Sequence, residues 1–144
     1  MAYVKIMVHA VWSTKYRHPW LTPEIRKKVI EHIRSNAREK GIKIDRINGY
    51  TEHLHCLFWL NADMSVAKAL QLIKGESSHW INQENLTATK FEWGVEYYAA
   101  SVSESVIPTV RKYIENQEQH HSGISFEEEF RKYLEDFLEN GPDE

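Results

Sequence analysis

The sequence predicts an α/β (α+β) protein of ferredoxin-like type, in which helices pack on an antiparallel sheet of four or five strands. Two observations support this class: strand-like and helix-like segments follow in the order β-α-β-β-α-β, and two further helical segments come after them. The chain has 144 residues, of which 42% are hydrophobic and 27% charged, as in ordinary globular domains. We therefore expect one domain over residues 1–144, with 139–144 as a frayed acidic tail.

The first predicted strand and helix have distinct signatures. Apolar residues recur at every second position from Val4 to Trp12, which predicts a strand with Trp12 in the core. Thr22 can cap a helix and Pro23 suits its first position, while Gly41 is typical of a helix end. The helix is amphipathic between these two signals.

The second and third strands are predicted to form a hairpin. Ile44 and Ile47 indicate a strand, Asn48 and Gly49 supply turn chemistry, and the segment 52–60 has the composition of a further strand. This pairing completes the first β-α-β-β part of the domain.

A second helix and a fourth strand follow. Ser65 is a helix-capping residue at the start of an amphipathic segment. Residues 91–102 are rich in aromatic and β-branched side chains, which favours a strand that is bent or broken at Gly94.

Two helices are predicted after the sheet. The first is capped by Ser103 or Ser105 and runs to about His121, and the second begins at the capping box that Ser125 opens. The apolar stripe of the last helix comprises Phe126, Phe130, Tyr133, Leu134 and Phe137.

Charge is distributed unevenly along the chain, although the net charge is only -3. Residues 1–74 contain 13 Lys and Arg against 6 Asp and Glu, whereas residues 75–144 contain 5 against 15. The basic half could contact phosphates, or it could simply be a solvated surface. The basic candidates for phosphate contacts are Lys15, Arg17, Lys27, Lys28, Arg34 and Arg38.

Several classes of protein are excluded by composition. The single cysteine, Cys56, cannot form an intramolecular disulfide, and we expect it on the apolar face of its strand. The chain has no signal-peptide pattern and no apolar run long enough to span a membrane. We therefore expect a cytoplasmic protein without membrane association.

Two histidines on the third strand form the first candidate site. His53 and His55 are two residues apart, so both side chains point to one face of the strand and lie within reach of one divalent cation. Two ordinary surface histidines would give the same pattern.

A tyrosine and a glutamine on the helix after the sheet form the second candidate site. Tyr113 and Gln117 are four residues apart and share a helix face, so a phenol nucleophile and an amide oxygen would lie side by side. Two imidazoles and this amide would suit Mg²⁺ or Mn²⁺. The alternative is a half-buried helix tyrosine, and His120 and His121 could either join this site or interact with the helix dipole.

Three stretches of the sequence resemble one family in the same order and spacing. They are Glu52-His53-Leu54-His55, the segment 73–78, and the block that runs from Phe91 to Gln117. Together they resemble the small single-tyrosine HUH transposases of the insertion-sequence 200 (TnpA) type, over most of the chain.

This resemblance implies a metal-dependent DNA transposase. Tyr113 would attack single-stranded DNA at element ends that contain hairpins and form a 5′-phosphotyrosine intermediate, while His53, His55 and Gln117 would hold Mg²⁺ or Mn²⁺. Similar proteins form homodimers that share active sites between subunits. Two rival hypotheses are a non-catalytic or domesticated protein that binds single-stranded DNA hairpins, and a metal-dependent hydrolase of small phosphoesters.

Overall fold

A computed structural model of the chain describes residues 2–121 and 125–140, and it confirms the predicted α/β fold. Four antiparallel strands form one sheet in the order β2-β3-β1-β4, which is the ferredoxin-like order. The elements are β1 (Met7–Thr14), α1 (Pro23–Glu39), β2 (Lys43–Gly49), β3 (His53–Trp59), α2 (Val66–Gln83), β4 (Trp93–Val102), α3 (Ile107–Glu115), α4 (Gln117–His120) and α5 (Phe126–Asn140).

One face of the sheet forms the main hydrophobic core with α1 and α2. Trp12 and Cys56 point into this core, as predicted, and both are almost completely buried. Val29 of α1 and Leu70 of α2 cover them from the helical layer. Alternation along β1 and β3 therefore directs one set of side chains into this core.

The opposite face of the sheet is covered by α3. Leu57 packs with Ile107 and Ile114 in a second, smaller apolar cluster. Since both faces of β3 are covered, every residue from 53 to 58 is buried. His53 and His55, which lie on the α3 face, are therefore buried rather than exposed at the surface.

The first strand begins later than the sequence predicts. β1 starts at Met7, which pairs with the last residues of its two neighbouring strands. Val4 and Ile6 lie beyond these partners and are 43% and 44% exposed. Alternation extends past the end of the sheet here: Ile6 O still accepts a hydrogen bond of 2.8 Å from Leu60 N, but the residue pairs of β1 with its two neighbours begin at Met7.

The hairpin turn predicted at Asn48 and Gly49 is wrong, because Gly49 still pairs with Leu54 and the chain reverses over residues 50–52. Glycine is required there for another reason. A Cβ atom at position 49 would lie 2.1 Å from the carbonyl oxygen of His53. The close approach of β2 and β3 at this point thus excludes any side chain.

The predicted third helix is divided in two. A 3₁₀ turn (Glu104–Val106) precedes α3, and Asn116 separates α3 from α4. Capping by Ser103 or Ser105 is also wrong, because α3 begins after Val106 without a side-chain cap.

Other local predictions are confirmed. Ser65 Oγ accepts a hydrogen bond from the Lys68 amide at 3.0 Å, and Ser125 Oγ accepts one from the Glu128 amide at 3.2 Å. The pairing of β4 with β1 shifts register around Gly94, where the sequence predicts an irregular strand.

The last helix begins at Phe126 as predicted, and Phe126 is buried. The predicted tail 139–144 begins too early, because residues 139 and 140 still belong to α5. The predictions for the side chains of Tyr133, Leu134 and Phe137, and for residues 141–144, lie outside the described part of the chain. Among residues 2–121 and 125–140, the structure contains no helix that is both long and apolar enough to cross a membrane.

Candidate metal and tyrosine site

Polar contacts attach α3 to β2 and thereby position Tyr113. Arg111 Nε and Nη2 each donate a hydrogen bond of 2.8 Å to the carboxylate of Asp45. These hydrogen bonds, together with the positive charge of Arg111, lower the pKa of Asp45. Asn48 Nδ2 donates to the carbonyl oxygen of Ile114 at 3.0 Å, so a backbone group near the end of α3 is satisfied by the sheet.

His53 is oriented by its sequence neighbour Glu52. Burial acts to raise the pKa of Glu52, but hydrogen bonds from His53 and Thr51 outweigh it, and the net pKa is lowered. The ionised carboxylate can only accept hydrogen bonds, so His53 Nδ1, 2.8 Å from Glu52 Oε1, carries the ring proton. His53 Nε2 points to the opposite side.

Gln117 presents its amide oxygen to this nitrogen. The distance from Gln117 Oε1 to His53 Nε2 is 3.1 Å, while Gln117 Nε2 donates to the carbonyl oxygen of Tyr113 at 3.2 Å, which fixes the orientation of the amide. Gln117 Oε1 and His53 Nε2 are therefore close enough to share a cation or a proton. The break at Asn116 does not separate Tyr113 from Gln117, because the side-chain hydrogen bond joins them.

His55 is supported by a histidine of the neighbouring strand. His9 Nε2 lies 2.9 Å from His55 Nδ1, and the two rings lie side by side with an angle of only 22° between their planes. Burial lowers the pKa of His9 to about 4 and that of His55 well below its usual value. Both imidazoles are thus neutral near pH 7, which is the form that binds metals.

The carboxylate of Glu129, in α5, lies between the histidines and Tyr113 and contacts both. Its Oε1 lies 3.0 Å from His55 Nε2, 3.5 Å from His53 Nε2 and 3.3 Å from His121 Nε2. Its Oε2 accepts a hydrogen bond from the hydroxyl of Tyr113 and lies 3.0 Å from His120 Nε2. Burial, with the nearby charge of Glu52, raises the pKa of Glu129 to about 8.

Tyr113 is half-buried beside the histidine pair of its own chain. Its ring contacts the His55 ring edge to face, with centroids 5.4 Å apart. A cleft of about 430 Å³ opens next to the phenol. The cleft is lined by His9, Thr109, Val110, Tyr113, His120, Glu129 and Lys132.

The structure thus brings together the four residues that the sequence singles out, His53, His55, Tyr113 and Gln117, around the carboxylate of Glu129. His120 and His121 join them, as one of the two alternatives for these histidines suggested.

Sequence reasoning missed His9 and Glu129. His9 could have been found, because it lies on the α3 face of β1, two residues from the position that pairs with His55. Glu129 has no such signal, since it is one of three consecutive glutamates in a predicted first helical turn.

The donor atoms fit a divalent cation. Ligand atoms of His53, His55, His121 and Glu129 lie within 4.8 Å of one another, and Gln117 Oε1 faces the same nitrogen of His53. Imidazole nitrogens combined with carboxylate and amide oxygens suit an ion such as Mn²⁺. The distance of 3.1 Å between Gln117 Oε1 and His53 Nε2 allows both atoms to contact one ion.

The fold is shared with solved transposases. A crystal structure at 1.90 Å resolution of a Deinococcus radiodurans R1 protein described as a transposase matches with a TM-score of 0.64 and 24% identity, covering 81% of this chain and 95% of the other. A REP-associated tyrosine transposase bound to a REP hairpin matches with a TM-score of 0.63 and 17% identity, covering 86% and 73%. The protein therefore has the fold of a transposase.

The family follows from the sequence comparison. The family model described as "Transposase IS200 like" matches residues 2–117, and the chain belongs to this family. The ISDra2 transposase TnpA of Deinococcus radiodurans is 25% identical over 115 residues, which cover 76% of this chain and 81% of the relative. The matched family segment ends at Gln117, so α5 and Glu129 lie beyond it.

Proposed function

We propose that this transposase cleaves and rejoins single-stranded DNA with Tyr113 as the nucleophile, through a covalent 5′-phosphotyrosine intermediate. The observation that carries the proposal is that the candidate nucleophile and the candidate metal ligands all contact one carboxylate, that of Glu129. Glu129 Oε1 faces His53 and His55, whereas Oε2 accepts the hydrogen bond from Tyr113. Membership of the transposase family supports DNA as the substrate.

The proposed step is a transesterification at phosphorus. The Tyr113 oxygen bonds to phosphorus while the bond from phosphorus to the 3′-oxygen breaks, and the 3′-oxygen takes a proton from solvent to leave as a hydroxyl. In its ionised form Glu129, whose Oε2 accepts the hydrogen bond of the phenol, takes the phenol proton. Because the tyrosyl phosphodiester retains the bond energy, rejoining requires no ATP.

His53, His55 and Gln117 would hold Mg²⁺ or Mn²⁺, with Glu129 and His121 close enough to add ligands. A bound divalent cation would supply Lewis-acid polarisation of the phosphate oxygens. The imidazole nitrogens favour Mn²⁺ over Mg²⁺, which prefers oxygen ligands. His9 and Glu52 orient the two imidazoles through hydrogen bonds to their other ring nitrogens.

DNA hairpins are the proposed partner. The support is the similar fold of the REP-associated tyrosine transposase, which is bound to a REP hairpin. We further propose a homodimer. Within one chain, Tyr113 contacts His55 of the same chain. The alternative is a dimer in which Tyr113 of one subunit serves the histidine pair of the other.

The test is a covalent-adduct assay on 5′- and 3′-labelled single-stranded oligonucleotides that span the hairpins flanking the gene, with Mg²⁺, Mn²⁺ or EDTA. We expect a metal-dependent product linked to the protein, which Tyr113→Phe abolishes while DNA binding is retained. Tyr97→Phe is the matched control, because Tyr97 lies on β4 near Lys74 of α2, on the other face of the sheet.

Undiminished attachment in Tyr113→Phe would refute the proposed nucleophile. Binding that survives chelation, without any adduct, would favour the non-catalytic hairpin-binding protein. Hydrolysis of small phosphoesters without DNA binding, retained in Tyr113→Phe, would favour a hydrolase that uses water.

A further inference from the structure

A short turn after β1 has an unusual backbone. It spans Lys15–Arg17, and both Tyr16 and Arg17 have positive φ angles, of 55° and 54°. Residues with side chains rarely adopt this left-handed region, and such conformations cluster at functional sites. The turn is held firmly at its start, because Thr14 N donates to Glu52 O at 2.8 Å and Lys15 N donates to Glu92 O at 2.9 Å.

Packing does not account for the conformation of Tyr16. Its side chain is 91% exposed, so the strained backbone directs a large aromatic ring into solvent rather than into a core. The ammonium of Lys15 lies 5.6 Å from the centre of this ring. Lys15 and Arg17 flank the exposed ring, and exposed rings beside basic side chains bind single-stranded nucleic acid in other proteins. Each of the two is ion-paired at the surface, Lys15 with Glu92 at 3.3 Å and Arg17 with Glu127 at 3.7 Å, and a phosphate would take the place of these carboxylates.

The turn lies beside the metal and tyrosine site. The guanidinium of Arg17 is 5.5 Å from the centre of the Phe126 ring, and Phe126 stacks on His53 with centroids 4.3 Å apart. Only one aromatic ring therefore separates Arg17 from a metal-ligand candidate. A DNA strand that crosses the site would pass within reach of the neighbouring Tyr16.

We infer that Tyr16 is a stacking platform for one unpaired nucleobase next to the scissile phosphate, with Lys15 and Arg17 contacting the adjacent phosphates. The inference rests on the proposed function and adds a subsite to it. A base within a duplex already has both faces stacked, so the platform selects the unpaired segment that flanks a hairpin. The positive φ angle directs the ring into solvent, so the ring does not pack on the protein and is open to a base.

The decisive variant is Tyr16→Gly, because glycine accepts a positive φ angle and the fold is preserved. Fluorescence anisotropy with a hairpin oligonucleotide carrying an unpaired flank should show a dissociation constant raised about 5- to 150-fold, the range for loss of one stacked base. The melting temperature should stay equal or rise, because the strain is removed. Tyr16→Trp should retain the affinity, and Tyr3→Gly, which removes another exposed tyrosine, should leave it unchanged.

An abasic scan of the flank locates the stacked base. One abasic position should weaken binding by the wild type and have no further effect in Tyr16→Gly. If the wild type binds and forms the tyrosine adduct, yet Tyr16→Gly binds equally well, the platform is refuted while the proposed function stands. If the wild type neither binds single-stranded DNA nor forms an adduct, both proposals fail.

Discussion

Replacing Gly49 by alanine should damage the strand that supports His53. The new Cβ would lie 2.1 Å from the carbonyl oxygen of His53 and 2.9 Å from the Cα of Leu54, both of them backbone atoms that cannot rotate away. β2 and β3 would have to separate, and the hydrogen bond of 3.0 Å from Tyr50 N to the same carbonyl oxygen would be lost. Overpacking of about 1–3 kcal/mol and one lost hydrogen bond of about 1 kcal/mol together predict a loss of about 2–4 kcal/mol.

The assay is thermal unfolding followed by circular dichroism, together with titration by Mn²⁺. For a chain of this length the loss corresponds to a melting temperature lower by roughly 6–16 °C. Mn²⁺ binding should weaken as well, because the displaced backbone carries His53.

Gly75→Ala is the matched control, since Gly75 sits within α2 and a Cβ added there would meet no neighbouring atom within 4 Å beyond the backbone of its own helix. The same chemical change there should stabilise the protein by about 0.5–1 kcal/mol through helix propensity. A Gly49→Ala variant as stable as the wild type would refute the reasoning from close strand approach.

Three further predictions concern charge, metal and thiol. Asp45→Asn should lower the melting temperature at pH 7, and the difference should vanish as the pH falls below about 4, because stability from a carboxylate whose pKa is lowered by Arg111 is lost on protonation. A pH-independent difference in unfolding scans would contradict this ion pair. Mn²⁺ at a hundredfold excess over Kd should stabilise the wild type by about 2.7 kcal/mol, and Glu129→Ala should reduce this shift while the exposed Glu128→Ala should not. Equal shifts in the two variants would exclude Glu129 as a ligand. Burial raises the pKa of Cys56 to about 12, so mass spectrometry should find it alkylated by iodoacetamide only in denaturant, and rapid labelling of the native protein would overturn its placement in the core.

The sequence predicts most of the fold because the elements of the main core have strong local signals. Alternation in β3 correctly separates the histidine face from the Cys56 face, and Ser65 correctly marks the start of α2. Local signals fail where long-range pairing decides the outcome. Asn48 and Gly49 look like a turn in isolation, yet Asn48 bonds to α3 and Gly49 is needed for strand contact.

The candidate site is predictable only where its residues belong to regular patterns. His53 and His55 follow from strand alternation, and Tyr113 and Gln117 from helical spacing. Glu129 could not be identified, because its role depends on how α5 docks, and no spacing rule connects it to β3. The break at Asn116 was also unpredictable, since this segment contains neither glycine nor an internal proline at that point.

The metal and tyrosine site is built from residues that lie far apart in the sequence. His9 contacts His55, 46 positions away, and His53 contacts Gln117, 64 positions away. The contact from His55 to Glu129 spans 74 positions. Each such contact closes a long loop, which carries an entropic cost that local helix formation does not. We therefore expect the site to form late, after the sheet and its helices have assembled. Metal affinity would then report whether the whole domain has folded. A chain that ends before α5 would lack the Glu129 carboxylate, which contacts both the histidines and Tyr113.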